Sequence, residues 1–421
     1  MSMKQFFASA ADWAVKNKSR MPRWMGRLME SAARNPDGFI GRVSGKLLGG
    51  GAASANTEVP GGDVRVYIAP TNYSGQGYLW ARSLEQFGAG NESVDGERET
   101  VAARNCAVLL PGGYAFPADT PVSIATVNAS AEWAEAEWQA AKRFTHVLVE
   151  AERPMFGKRF GRDLEAEVRA LEAEGVSVAF ICHGTDIRDP ERHAALTPWS
   201  PYPEDPRTAD LQSDARENAA LLERMGRPVF VSTPDLLIDV PGATWCPVVV
   251  DAERFATDAP LLPAARSSRP RVIHASSNHL QKGSGSIEPA MAPLVASGAL
   301  EYELIGSTPS AEMPGVFAGA DIVLDQFRLG SYGVAACEAM AAGRVVVGHV
   351  LPQVRETVER DAGVELPIVE ATPDTLHDVV AELIADPARM RELAAAGPCF
   401  VARMHTGEAS ARALTSRWIR A

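Results

Sequence analysis

Short apolar runs alternate along this chain with segments whose apolar residues fall at helical spacing, and glycine or polar clusters punctuate the joins. The densest case is residues 321–349, DIVLDQFRLGSYGVAACEAMAAGRVVVGH. Asp321 to Phe327 predicts a strand, Gly330 and Gly333 a tight turn, Val334 to Ala342 a helix, and Val345 to Val347 a second, buried strand. That succession is a βαβ unit, which implies a parallel sheet. An earlier series starts with VRVYIAP (64–70), the loop NYSGQG (72–77) and a helical stretch through Leu84. CAVLLP (106–111), THVLVE (145–150), VSVAFICHG (176–184), PVFVSTP (228–234) and TWCPVVV (244–250) continue it as strands. A later series comprises RVIHASSN (271–278), the basic glycine-containing loop HLQKGSG (279–285), LEYELIG (300–306) and VELPIV (364–369). Residues 372–397 then carry one or two amphipathic helices, with Thr372 or Asp374 as caps, and residues 402–421 predict a further helix. Mostly parallel sheets of this kind bind ligands at the carboxyl ends of their strands. The rule places Asn72 to Gly77, His183 to Arg188 and Ser232 to Thr233 near one rim.

At 421 residues the chain exceeds one ordinary core, so two α/β domains are expected. The proline-rich stretch 251–270 reads as the connection between them. The expected organisation is a helical extension and linker over 1–62, a first domain over 63–255, a second over 256–400 and a terminal helix over 401–421. Residues 1–50 hold nine basic against three acidic side chains, a local charge of +6 in a chain whose total is −12. Met21, Trp24, Met25 and Leu28, then Ile40, Val43 and Leu47, make this segment amphipathic. Such a segment suits a membrane surface, and equally the protein's own acidic body or a second subunit. Gly49 to Gly62 then reads as a linker. The acidic total disfavours nucleic acid as a partner. Five cysteines without a CxxC pair suit a reducing compartment and argue against zinc. No apolar run reaches the roughly 18 residues of a membrane span, and Asp12 and Lys16 interrupt the FFASAA stretch before a signal-peptide core forms, so a cytoplasmic protein is expected.

The chemistry concentrates after Gly330. Amides at the start of the predicted helix, near Ser331 to Val334, lack intrahelical partners and carry partial positive charge, a ready seat for phosphate. Glu338 lies one to two turns further along the same helix. A carboxylate there repels phosphate but accepts hydrogen bonds from sugar hydroxyls, so the pairing suggests a nucleotide with diphosphate at the turn and ribose at Glu338. The NYSGQG loop lacks the GxGxxG spacing of a dinucleotide site, which discounts a dehydrogenase.

Four stretches, in order, carry a family resemblance: NYSGQG, PVVVDAERF (247–255), SSNHLQKGS (276–284) and GSYGVAACEAMAAGRVVV (330–347). Over roughly residues 64–400 the chain resembles the retaining nucleotide-sugar glycosyltransferases of family 4. The resemblance implies the GT-B fold, an α/β architecture of two Rossmann-like, doubly wound domains facing each other across a cleft. It also implies a UDP- or GDP-sugar donor, no obligatory cofactor or metal, and a glycan, lipid-linked or small-molecule acceptor. A cell-envelope role and a peripheral position on the inner membrane face follow as expectations. By the same resemblance Lys282 contacts the donor diphosphate, Glu338 the ribose, and Ser331, Tyr332, Gly333 and Val334 form the phosphate seat, with His279 and Gly283 beside Lys282. His183 would meet the transferred sugar or, alternatively, satisfy loop carbonyls. Ser74, Gly75, Gly77 and Asp186 fall on the acceptor side, Asp186 and Arg188 also being able to pair with each other or hold their loop. The aromatics of WSPYPEDP (199–206) could stack on sugar or simply pack. Two positions depart from the family pattern. Gly330 stands where a second carboxylate is usual, and His279 where an arginine is. These departures keep a second reading open, a catalytically impaired partner or scaffold for an active transferase.

Overall fold

The computed structural model describes residues 55–89, 99–110, 116–262, 269–276, 278–306 and 308–421. The basic amphipathic segment 1–50 lies outside them. The chain divides into two compact units, residues 1–180 and 181–421.

In the first unit β1 (Val64–Ala69), β2 (Val101–Leu109), β3 (Thr120–Ser123), β4 (His146–Glu150) and β5 (Ser177–Cys182, cut by the division after Phe180) follow the order β3-β2-β1-β4-β5. β1 pairs parallel with both β2 and β4, so the winding reverses between β1 and β4. Val66, Tyr67, Ile68 and Ala69 are all buried, which is why this central strand reads as a continuous apolar run rather than an alternation. No apolar run announces β3. Its TPVS sequence alternates, with Pro121 and Ser123 exposed, as an edge strand with proline can. The helices are α1 (Gln76–Phe87), α2 (Ile124–Ala129), α3 (Ala131–Ala141) and α4 (Leu164–Ala173). Ser123, Ser130 and Asp163 start α2, α3 and α4 by accepting first-turn amides. The expected linker over 49–62 is corrected at its end. Asn56 and Thr57 are pinned to the buried Glu137 carboxylate, Thr57 through both its amide (2.9 Å) and its hydroxyl (2.6 Å), because a buried carboxylate must be hydrogen-bonded.

The second unit contains the parallel pair β6 (Val229–Val231) and β7 (Thr244–Trp245). It also contains a five-stranded parallel sheet of β8 (Arg271–Ala275), β9 (Glu301–Ile305), β10 (Ile322–Leu324), β11 (Val345–Gly348) and β12 (Ile368–Glu370) in the order β12-β11-β10-β8-β9. Here the winding reverses between β8 and β10. The helices are α5 (Pro190–Leu196), α6 (Thr208–Met225), α7 (Ala252–Phe255), α8 (His279–Lys282), α9 (Ser284–Ala296) and α10 (Met313–Ala318). They continue as α11 (Val334–Ala341), α12 (Pro352–Ala362), α13 (Leu376–Ala385), α14 (Pro387–Met404) and α15 (Glu408–Leu414). Val272, Ile322, Val345 and Val347 on the strands pack with Ile287, Met291, Val380 and Met390 from the helices into one core.

Of the boundaries that differ from the sequence reading, three have a local physical cause. The strand expected over 244–250 ends at Trp245, because Pro247 has no N–H to donate and the carbonyls of Pro247 and Val248 accept instead from Ser410 and His405. α13 starts after Thr375, not after Thr372 or Asp374. The Thr375 hydroxyl turns back to accept the Thr372 amide. The HLQKGSG stretch is two helices separated by Gly283, whose φ of +76° ends α8 and starts α9. Among the described residues no helix is long and apolar enough to cross a membrane.

Candidate functional site

In open parallel sheets the crevice where the winding reverses is the place a ligand finds strand ends and helix starts together. In the second unit that place lies between the carboxyl ends of β8 and β10, and Lys282 bridges it. Its ammonium donates to the Ala275 carbonyl at the end of β8 (3.1 Å) and to Asp325 Oδ1 just past β10 (3.1 Å). An ammonium has three donors, so one remains for a ligand. The Asn278 side chain caps α8 by accepting the Gln281 amide, which sets the helical turn that delivers Lys282. The Phe327 amide donates to the Lys282 carbonyl, tying that turn to the segment after β10. His279, on the first residue of α8, is exposed.

The segment between β10 and α11 is held by named bonds. Gly330 takes φ +67°, and a Cβ there would stand 2.5 Å from Leu351 Cγ. A side chain at this position therefore has no room, because Leu351 fills its place. Gly330→Ala should lower stability by about 1–3 kcal/mol, from the left-handed backbone and the clash together, read as a shifted denaturant midpoint. Ser331 turns inward, its hydroxyl donating to Asp235 Oδ1 (2.6 Å) and its carbonyl accepting from Gln326 Nε2 (2.6 Å). The Tyr332 ring is also buried, against Phe400 and His405, with its hydroxyl 3.2 Å from His405 Nε2. The side chains of Ser331 and Tyr332 are thus structural, and what the turn offers a ligand is the backbone at Gly333 and Val334 where α11 begins.

Glu338 is half-buried on α11. Burial pushes its carboxyl up to about 7, against the pull of the Arg254 and Lys282 charges. Glu338, Lys282 and Arg254 therefore share one electrostatic neighbourhood at the reversal of the sheet. Arg254 lies within PVVVDAERF, yet nothing in the sequence singled it out. It lies within α7, its amide donating to the capping Asp251 carboxylate and its guanidinium to the Ser310 carbonyl.

The remaining sequence candidates fall elsewhere. His183 follows β5, half-buried, and its amide and that of Gly184 donate to the Asp186 carboxylate. Asp186 thus holds its own loop. Arg188 does not pair with Asp186: it is buried and donates through Nε (3.1 Å) and Nη2 (2.5 Å) to Asp235 Oδ2, the nearest arrangement that neutralises two buried charges. In WSPYPEDP, Tyr202 is buried edge-on against His193 and cannot stack on a ligand, while Trp199 is half-buried. Arg328 clasps this loop, donating to the carbonyls of Trp199 (2.8 Å) and Ser200 (3.0 Å) and to the Glu204 carboxylate (2.6 and 3.0 Å). Its stem occupies the space a Cβ on Gly283 would need, 2.9 Å from Arg328 Cγ. In the first unit, Asn72, Ser74 and Gly75 all take positive φ, and the amides of Thr71 and Asn72 donate to the buried Glu150 carboxylate. Gly77 is required there, since a Cβ would stand 2.7 Å from Asn105 Nδ2 and 3.0 Å from Glu150 Oε2. A loop whose amides already face a carboxylate is a poor phosphate cradle.

A family model described as glycosyl transferase-like matches residues 284–416, a stretch that contains the Gly330 turn and Glu338 but not Lys282. Comparison with curated proteins finds no match. Among solved structures, sucrose-phosphate synthase from Thermosynechococcus elongatus is similar with a TM-score of 0.51 and 12% identity, over 83% of this chain and 96% of that one. HepE from Anabaena, in complex with UDP and glucose, is similar with a TM-score of 0.51 and 13% identity, over 84% of this chain and 99% of that one. The fold is that of the GT-B glycosyltransferases, α/β with two parallel-stranded sheets, as the sequence led one to expect.

Proposed function

We propose that this chain is a retaining glycosyltransferase similar to family 4, moving a sugar from a UDP- or GDP-linked donor to an acceptor hydroxyl. The observation that carries the reading is the meeting of Lys282, the start of α11 and Glu338 at the sheet reversal. The family match over 284–416 supports it. The diphosphate takes the third donor of Lys282 and the amides at Gly333 and Val334, with Gly283 and His279 alongside, and Glu338 accepts the ribose hydroxyls. In the reaction the bond from the anomeric carbon to the β-phosphate oxygen breaks and the bond to the acceptor oxygen forms on the same face. The acceptor proton passes to the departing phosphate, which leaves as nucleoside diphosphate. Lys282 and the helix start stabilise the charge that develops there, so the scheme calls for no obligatory metal or cofactor. His183 is assigned to a hydroxyl of the transferred sugar, and Ser74, Gly75, Gly77 and Asp186 to the acceptor side. The basic segment 1–50 suits a cytoplasmic enzyme resting on a membrane face, with a lipid-linked or envelope acceptor.

Calorimetric titration with UDP and with GDP tests the reading, together with mass spectrometry of nucleotide released from each series of sugar donors. Because the ionised form of Glu338 is the better acceptor and its carboxyl sits at about 7, affinity for the nucleotide should fall about tenfold from pH 8 to pH 6. Glu338→Gln should flatten that profile. Gly330, where Leu351 fills the space a carboxylate would need, and His279 favour one rival, a scaffold that has lost catalysis. Absence of binding heat and of nucleotide release would decide for it.

A further inference from the structure

A turn that seats a diphosphate has to be held in shape before the ligand arrives, and the bonds around 327–331 identify what holds this one. The amide of Phe327 and the carbonyls of Leu329 and Gly330 are engaged by Lys282, His193 and Leu351. Two of these ties are backbone to backbone, and the third comes from the His193 ring, whose Nε2 stands 3.1 Å from the Leu329 carbonyl. Ser331 contributes its own side chain: its hydroxyl reaches across to Asp235, just after β6 and 96 residues earlier in the chain. Asp235 is 4% exposed, its Oδ2 is saturated by two N–H groups of Arg188, and its Oδ1 is aimed at Ser331. Gln326 closes the other side by donating to the Ser331 carbonyl, and its own carbonyl accepts from the His349 amide. With its side chain drawn inward to a fixed anion, Ser331 can present the amides that follow it in only one way.

We propose that Asp235 is a positioning residue for the nucleotide site, acting through the Ser331 hydroxyl to preset the Gly330 to Val334 turn. The proposal rests on the reading of that turn as the diphosphate seat. Arg188 serves it by keeping Asp235 ionised and immobile, so Oδ1 is always an acceptor. Asp235 itself touches no ligand.

The test compares the full-length protein with Ser331→Ala and with Ser331→Thr, which keeps a hydroxyl. UDP affinity is read by calorimetry, kcat and KM from hydrolysis of UDP-glucose, and amide hydrogen exchange over 327–336 without ligand. Ser331→Ala should weaken UDP about tenfold, raise KM for UDP-glucose by a similar factor at unchanged kcat, and speed exchange in this segment. Ser331→Thr should restore most of each. On an Arg188→Met/Asp235→Leu background, Ser331→Ala should add nothing further. Weaker binding with unchanged exchange would mean that the Ser331 hydroxyl touches the nucleotide itself, and it would overturn the proposal. So would faster exchange without any loss of affinity, or effects that multiply on the paired background. If the unaltered protein binds neither UDP nor GDP, the functional reading falls on its own. The exchange measurements then still decide whether Asp235 sets the turn.

Discussion

Replacing Glu338 by alanine should weaken UDP binding by about 10- to 100-fold, the worth of hydrogen bonds to a charged group. On the proposed reading, which seats the diphosphate at Lys282 and the start of α11, inhibition by inorganic pyrophosphate should not weaken. The same substitution should raise the thermal midpoint at pH 8. The Glu338 carboxyl rests at about 7 in the folded chain against an ordinary 4.5, so between those values the folded state binds more protons than the unfolded one. Stability therefore declines as pH rises through that window, and removing the carboxyl relieves the decline. Near pH 4, where the carboxyl is protonated in both states, this gain should vanish. Loss of UDP affinity together with a gain in stability at pH 8 is not a result that misfolding can produce. Equal loss of UDP and pyrophosphate binding would remove Glu338 from the ribose.

How far these residues could be read from sequence differs by residue, for physical reasons. Glu338 and the start of α11 were legible because a strand, a turn and a helix follow one another there, and helix-start electrostatics depend on local order alone. Lys282 was legible as a cation at a strand end, but its loop proved to be a capped helical turn. The left-handed Gly283 that creates two helices reads in sequence as loop punctuation. Asp325 and Gln326 fall inside the strand predicted over 321–327, whereas β10 ends at Leu324 and leaves both just past it. Which partners they take, Lys282 43 residues away and the Ser331 carbonyl next door, is fixed by the sheet order and not by spacing. Asp235, Arg254 and Arg328 were silent for the same reason, since each acts across elements brought together only by folding. β3 was missed because an edge strand needs only one buried face, and four residues are too few for an alternation to register.

Removing the Asp235 carboxylate should cost more than any surface change, because Arg188, 6% exposed, would be left as an uncompensated buried cation. Asp235→Ala should lower stability by about 3–5 kcal/mol. Burial on its own would raise the Asp235 carboxyl, yet the Arg188 charge and the hydrogen bonds from Ser331 and Arg188 hold it below the ordinary 3.8. A carboxyl so depressed contributes stability that is present above the ordinary value and lost as pH falls through the folded one, so the cost of the variant should be full above pH 3.8 and shrink as pH falls below it. Arg188→Met/Asp235→Leu should recover most of the stability, since two apolar side chains replace a pair whose desolvation offsets much of its attraction. It should not recover UDP affinity, because Ser331 would still lack its acceptor. A chemical denaturation series beside UDP titrations of the same three proteins separates these contributions. If the paired variant regains both stability and UDP affinity, the buried ion pair is architecture alone; if it regains only stability, the same carboxylate both balances a buried charge and shapes the site.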